Sequence, residues 1–159
     1  MAFRPDVTVA AIIERDGRFL VVEERAARRI VINQPAGHLE RGESLVEAVV
    51  RETLEETAYA LVPDALTGIY LWHHPAVDRT FLRVAFTGSV TGPDQARRLD
   101  RVIVRTAWMT REQLAARPNA LRSPLVLRCI DDYLAGARHP LSLLSSLALP
   151  GPPAGPGTA

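Results

Sequence analysis

Between Gly37 and Tyr59 the chain reads GHLERGESLVEAVVRETLEETAY, and the helix written into that stretch restricts what the rest can fold into. Ser44-Leu-Val-Glu47 is a capping box: the hydroxyl takes the first free amides and the glutamate reaches back to the cap, so a helix begins at Leu45. At about 100° per residue, Leu45, Val46, Val49, Val50, Thr53 and Thr57 fall on one stripe, whereas Glu52, Glu55 and Glu56 gather on another. One face is expected to pack and the other to present acids.

The acidic face is unfavourable by itself. Like charges at i,i+3 and i,i+4 each cost roughly 0.2–0.5 kcal/mol, and the negative pole of the helix dipole adds a similar penalty. A solvated face with an Arg51 to Glu55 ion pair is the plain explanation. A hard divalent cation is the other, because three carboxylates within about one turn, plus a carbonyl from a neighbouring loop, supply the oxygen ligands that Mg²⁺ prefers. The surroundings favour the cation. Asn33-Gln-Pro-Ala-Gly-His38 is a Pro/Gly turn after an apolar run, and Glu43, eight residues before Arg51, can pair with it across the helix mouth and fix the loop.

Together these residues resemble the Nudix box, which runs Gly, five residues, Glu, seven residues, Arg-Glu, an apolar position, any residue, Glu-Glu, any residue, Gly, apolar. Gly37, Glu43, Arg51, Glu52, Glu55, Glu56 and Tyr59 fit. Two positions depart: Thr53 stands where an aliphatic side chain is commoner, and Ala58 stands where the pattern has Gly. Ala58 strains the helix exit if that residue needs a positive φ.

Composition narrows the partners. The chain has 159 residues, 47% of them hydrophobic, and a formal net charge of +1, which suits one globular domain. No basic block marks a nucleic-acid footprint or a membrane surface, so a small molecule is the expected partner. All 19 basic residues are Arg, which excludes a P-loop lysine, a Schiff-base lysine and a lysine base. The single Cys129 forms no intrachain disulfide and reads as a small buried helix residue. The opening MAFRPDVTVA lacks a basic segment followed by an apolar one, and no apolar run approaches membrane length, so the expected location is the cytoplasm.

Along the chain, residues 6–13 and 18–23 are β-rich runs flanking Arg15-Asp-Gly17, which predicts that a hairpin opens the domain. Pro63 is expected to end the acidic helix. Residues 67–74 and 80–90 read as a strand pair and 102–108 as a further strand. Thr110-Arg-Glu-Gln113 caps a short helix, and Ser123-Pro124 supplies an N-cap and an N1 proline for a helix to Leu134, stopped at Gly136. From Ala148 the sequence LPGPPAGPGTA predicts a disordered tail, leaving a domain over 1–147 and a tail over 148–159. Strands with helices on both sides argue for a mixed α/β sandwich.

The resemblance implies the same architecture, an α/β/α sandwich with a mixed β-sheet. It also implies a hydrolase of phosphoric anhydrides using Mg²⁺ or Mn²⁺, held by Glu52, Glu55 and Glu56 with the Ala36 carbonyl as a further ligand. Glu43 and Arg51 complete the catalytic set. The general base is Glu55 or Glu56, with Asp100 as a candidate from outside the box. Arg79 and Arg83 are either phosphate contacts or surface arginines, and Trp72 either stacks on a flat ring or belongs to the core. His38, His73 and His74 lack metal-ligand spacing and read as turn and surface residues.

Outside the box, LRSPLV at Leu121 to Val126 and HPL at His139 to Leu141 are similar to a phosphatase subgroup of the family. That implies removal of a terminal phosphate from nucleoside tri- and diphosphates and from hydroxymethylpyrimidine pyrophosphate. The expected assembly, which the resemblance does not set, is a monomer or homodimer. Pro75 hints instead at an ADP-ribose or nucleotide-sugar pyrophosphatase. A non-catalytic nucleotide-binding module is a third reading, set against the intact box glutamates. An isomerase would need reactive cysteine chemistry, and Cys129 lies far from the box.

Overall fold

The computed structural model describes residues 2–147 and 149–151. Two sheets carry the chain. The first has five strands in the order β5 (Ala36–His38), β1 (Asp6–Ile12), β7 (Arg79–Thr91), β6 (Ala60–His74) and β9 (His139–Pro140). It is mixed, since β1 runs parallel to β7 and the other neighbours are antiparallel. In the second sheet β3 (Arg18–Ala26) is central, with β8 (Ile103–Met109) along one edge and β2 (Glu14–Arg15) and β4 (Arg29–Asn33) sharing the other.

Helices cover two faces. On one side α1 (Leu45–Thr57) places Ala48 and Val49 against Val9, Ala11, Val84 and Phe86. On the other, α3 (Leu125–Leu134), joined by α2 (Arg111–Ala115), buries Val126, Cys129 and Ile130 against Ile12, Val21 and Ala85. Alternate residues of β1 and β7 thus feed opposite cores, which is how period-2 side chains build a three-layer α/β/α sandwich. Cys129 is a buried residue of α3, as its helical setting implies.

Several local expectations needed correction. The Asp-Gly turn exists, with Asp16 and Gly17 at φ 51° and 73°, but it joins only the short β2 to β3. The long β1 is not the partner of β3; it crosses to β7, whose burial on both faces suits β1's apolar run. Pro63 does not end α1. The helix stops at Thr57 through Ala58 at φ 60°, and Pro63 lies inside β6 at a register shift, where a missing N–H is tolerated. The Pro/Gly segment after Asn33 is partly strand, as β5. The N-cap of α3 is Pro124, with Ser123 just outside; the Ser123 hydroxyl still accepts the Leu125 amide at 3.3 Å. Of the Pro/Gly-rich tail, Ala148 and residues 152–159 lie outside the described residues.

Candidate active site

The capping box predicted for α1 forms: the Glu47 amide donates to Ser44 Oγ at 3.2 Å, and the Ser44 amide donates to Glu47 Oε2 at 2.7 Å. One stripe of the helix is more complicated than its pattern. Glu52 and Glu56 are buried along with Val49, Thr53 and Thr57, so two of the three acids point into the protein, and only Glu55 is half-exposed. What receives them is β5. The Ala36 amide donates to Glu56 Oε2 at 2.9 Å, and the Glu52 carboxylate lies against Gly37, where any Cβ would collide with it. The first glycine of the motif is therefore the space into which Glu52 fits.

Arg51 ties the mouth of the helix together. It donates through Nε and Nη2 to both oxygens of Glu43, at 2.9 and 2.7 Å, and through Nη1 to Glu52 at 2.8 Å and Glu55 at 3.2 Å. Its Nη2 also donates to the His38 carbonyl at 3.1 Å. The expected Glu43 to Arg51 pair is thus present, and the plain Arg51 to Glu55 pair is present beside it. Hydrogen bonding to Arg51 holds the Glu43 carboxyl below the usual range.

Three carboxyls are pushed the other way by burial: Glu24, Glu52 and Glu56, the last up to about 9. Glu56 also feels the charges of Glu24, Glu52 and Asp100, and among the described residues no cation is paired with it. Buried like charges of this kind are costly unless a positive charge joins them. The donor set is all oxygen, and among the described residues the arginines paired with these acids, Arg51 on Glu52 and Arg122 on Glu24, leave Glu56 unpaired, so the site fits a hard divalent ion. Among the described residues, no three such side chains already converge as a cation cage, since Glu52 and Glu55 each spend an oxygen on Arg51.

These acids border a cleft of 830 Å³ on the α3 side of the five-stranded sheet. Trp72 lies on its wall, stacked on Phe81 with ring centroids 5.8 Å apart. Arg79 is on the rim, paired with Asp6 at 2.8 Å, and Arg83 is on the floor, buried. Of the two arginines, then, Arg83 is not a surface residue. His38, exposed at the end of β5, and the half-buried His74 also line the cleft, whereas His73 faces outward and pairs with Thr80. Asp100 is exposed in the loop before β8, its amide donating to the Glu55 carbonyl at 3.0 Å.

Among the lining residues to which sequence reasoning gave no site role are Thr8, Glu24, Asn33, Arg122 and Ser123. The expected strand stops at residue 23, whereas β3 runs on to Ala26, and Glu24 continues the buried alternation of Leu20 and Val22. Arg122 and Ser123 arrive because the Arg122 amide donates to the Ile32 carbonyl at 2.8 Å, a parallel bridge that draws residues 121–123 over the cleft. Arg122 then pairs with Glu24 at 3.3 Å. Nothing local in the sequence announces that contact.

Comparison with known proteins gives consistent findings. The family model of the NUDIX domain matches residues 2–128. The chain is 39% identical over 149 residues to Phosphatase NudJ of Escherichia coli (strain K12), covering 93% of this chain and 95% of that one. A NUDIX hydrolase from Nitrosomonas europaea superposes with a TM-score of 0.88 at 48% identity, covering 90% of this chain and 97% of that one. A bifunctional NMN adenylyltransferase/ADP ribose pyrophosphatase from Francisella tularensis, complexed with AMP and a Mn ion, shares the fold alone. Its TM-score is 0.63 at 16% identity, over 84% of this chain and 42% of that one.

Proposed function

The chain belongs to the Nudix hydrolase family, whose members act on pyrophosphate bonds, and from that premise we propose that it is a divalent-cation-dependent phosphatase. Its substrates are nucleoside tri- and diphosphates and hydroxymethylpyrimidine pyrophosphate, from which it removes the terminal phosphate. One observation carries this reading: Arg122, Ser123 and Leu125 of the subgroup-like segment LRSPLV line the same cleft as Glu52 and Glu56. The likeness to Phosphatase NudJ over nearly the whole chain supports it.

Glu52, Glu55 and Glu56 would hold Mg²⁺ or Mn²⁺ with the Ala36 carbonyl. Once bound, the cation polarises phosphoryl oxygens and lowers the pKa of an attacking water. The protein's part is chiefly position and charge. Glu56 is anchored by the Ala36 amide and buried, which suits a fixed ligand. Glu55 is the most accessible of the three and only loosely held by Arg51 at 3.2 Å, which suits the base that takes the proton from water. Asp100, joined to the Glu55 backbone, is the candidate from outside the box. Arg51 and Glu43 orient the carboxylates, Arg79 and Arg83 face the phosphates, and Trp72 takes the flat ring. A single domain over 1–147, acting in the cytoplasm as monomer or homodimer, completes the proposal.

The deciding experiment is phosphorus NMR of products formed with Mg²⁺ from hydroxymethylpyrimidine pyrophosphate, CTP and ADP-ribose in separate tubes. Orthophosphate from the first two with ADP-ribose intact is expected. Cleavage of ADP-ribose to two monophosphates would replace this reading with a nucleotide-sugar pyrophosphatase, and no turnover of any would favour a binding module. A parallel melting series is expected to show Mg²⁺ stabilising the protein and Glu56→Gln losing most of that shift.

A further inference from the structure

Among the described residues, five buried side-chain atoms have no hydrogen-bond partner. Four of them, Thr8 Oγ1, Asn33 Oδ1, His74 Nδ1 and Arg83 Nε, belong to residues lining the acidic cleft. Buried polar groups are nearly always bonded, so orphans gathered around one cleft mark a place built around something polar.

Arg83 is the most telling of the four. It is 7% exposed and sits on β7, in register with Thr8 of β1 on one side and Tyr70 of β6 on the other. Its Nη1 donates to Gln34 Oε1 at 3.2 Å, and the Cys129 thiol lies against it. Neither neighbour carries a compensating charge: Gln34 is an amide, and burial pushes the Cys129 thiol up, keeping it neutral. Glu24, the acid whose charge reaches Arg83, is paired with Arg122 at 3.3 Å and makes no ion pair with Arg83. A buried guanidinium keeps its charge in any ordinary buffer, and what offsets its burial is an anion in contact with it. The open side of Arg83 is the cleft.

Strand order says which anion. Across the sheet the sequence is β5, β1, β7, β6, at roughly 5 Å per strand. Glu52 and Glu56 meet β5, Thr8 is on β1, Arg83 on β7, and Trp72 and His74 on β6. The acids, the Thr8 and Arg83 donors and the aromatic wall therefore follow one another in a line. A phosphoanhydride lying along it has its reacting phosphate at the acids, the next phosphate at the donors and its ring at Trp72.

We infer that Arg83 and Thr8 form a metal-independent anion subsite for the phosphate adjoining the one removed, which in an organic diphosphate is the ester-linked phosphate kept by the product. Arg83 Nε and the Thr8 hydroxyl donate to it. Turning over the Asn33 side-chain amide adds a third donor in place of its orphaned oxygen. The assignment of which phosphate sits there rests on the phosphatase reading; the anion site does not.

The test uses the full chain in EDTA with inorganic phosphate as the probe, against NaCl at matched ionic strength. The melting temperature is expected to rise by about 3 °C once phosphate exceeds its dissociation constant tenfold. Glu56→Gln keeps that rise, and Arg83→Gln loses it. Thr8→Val, which leaves the guanidinium in place, weakens it and serves if Arg83→Gln does not fold. No rise in the wild type, or an undiminished rise in both Arg83→Gln and Thr8→Val, would overturn the inference. With Mg²⁺ and hydroxymethylpyrimidine pyrophosphate, Arg83→Gln is expected to raise KM about 10²-fold with a smaller change in kcat. Turnover without a phosphate-induced rise sinks the subsite alone. A rise without turnover of any phosphoanhydride sinks the phosphatase reading and leaves the subsite standing.

Discussion

Gly37 shows how much one atom decides at this site. Any side chain there would meet the Glu52 carboxylate, and Glu52 is already held on its other side by Arg51 at 2.8 Å. Gly37→Ala is therefore expected to displace Glu52 without unfolding the protein. A displacement near 1 Å at a catalytic group costs about 10²-fold in rate. Turnover with Mg²⁺ should fall by that order while the melting temperature in EDTA stays within a few degrees; equal turnover would mean that Glu52 has no fixed part in the reaction. The glycine was visible in the sequence as a motif position. Its reason, contact with a carboxylate fifteen residues away, was not.

At the scale of elements, α1 was legible because its signals are local. A capping box spans four residues, and both of its hydrogen bonds form. Its exit was legible too, as a question about Ala58, which stands at φ 60° and sends its amide to the Leu54 carbonyl at 2.9 Å. A non-glycine residue in the left-handed region pays a steric penalty of about 1 kcal/mol. Ala58→Gly should stabilise the protein by about that amount and raise its melting temperature by roughly 2–4 °C, readable by calorimetry. An unchanged or lowered value would show that unfolded-state entropy outweighs relief of the cap. The helix's inner face was less legible. Apolar periodicity put Val50 on the packing stripe and the acids elsewhere, yet Val50 is only half-buried and Glu52 and Glu56 go in. Periodicity ranks side chains by hydrophobicity, and it has no means of recognising a carboxylate that is buried because a backbone amide awaits it.

For the whole molecule, arginine is the only strong cation, and three of its pairs join separate elements. Asp6 with Arg79 joins β1 to β7, Glu23 with Arg105 joins β3 to β8, and Asp131 with Arg111 joins α3 to α2. In each case the hydrogen bond to Arg holds the carboxyl below its usual range. The stabilisation is therefore complete above the ordinary carboxylate range and is lost as pH falls through the lowered folded values; the raised Glu24, Glu52 and Glu56 act in the opposite sense. In urea midpoints taken between about pH 3 and pH 7, Asp131→Asn should fall below the wild type near neutrality and converge with it at the acid end. A constant gap would mean the pair contributes no pH dependence. What the sequence by itself determined was local: where α1 starts, the left-handed strain at its exit, the Asp-Gly turn, the acids that a cation would suit and the arginine that spans the helix mouth. Those follow from backbone preferences and spacings of a few residues. Only the tertiary structure decided that β1 pairs with β7, that Arg122 is drawn over Glu24, and that Thr8 and Arg83 lie side by side beneath the cleft. Strand register and burial are set by packing between segments tens of residues apart, and no local pattern encodes which of them will meet.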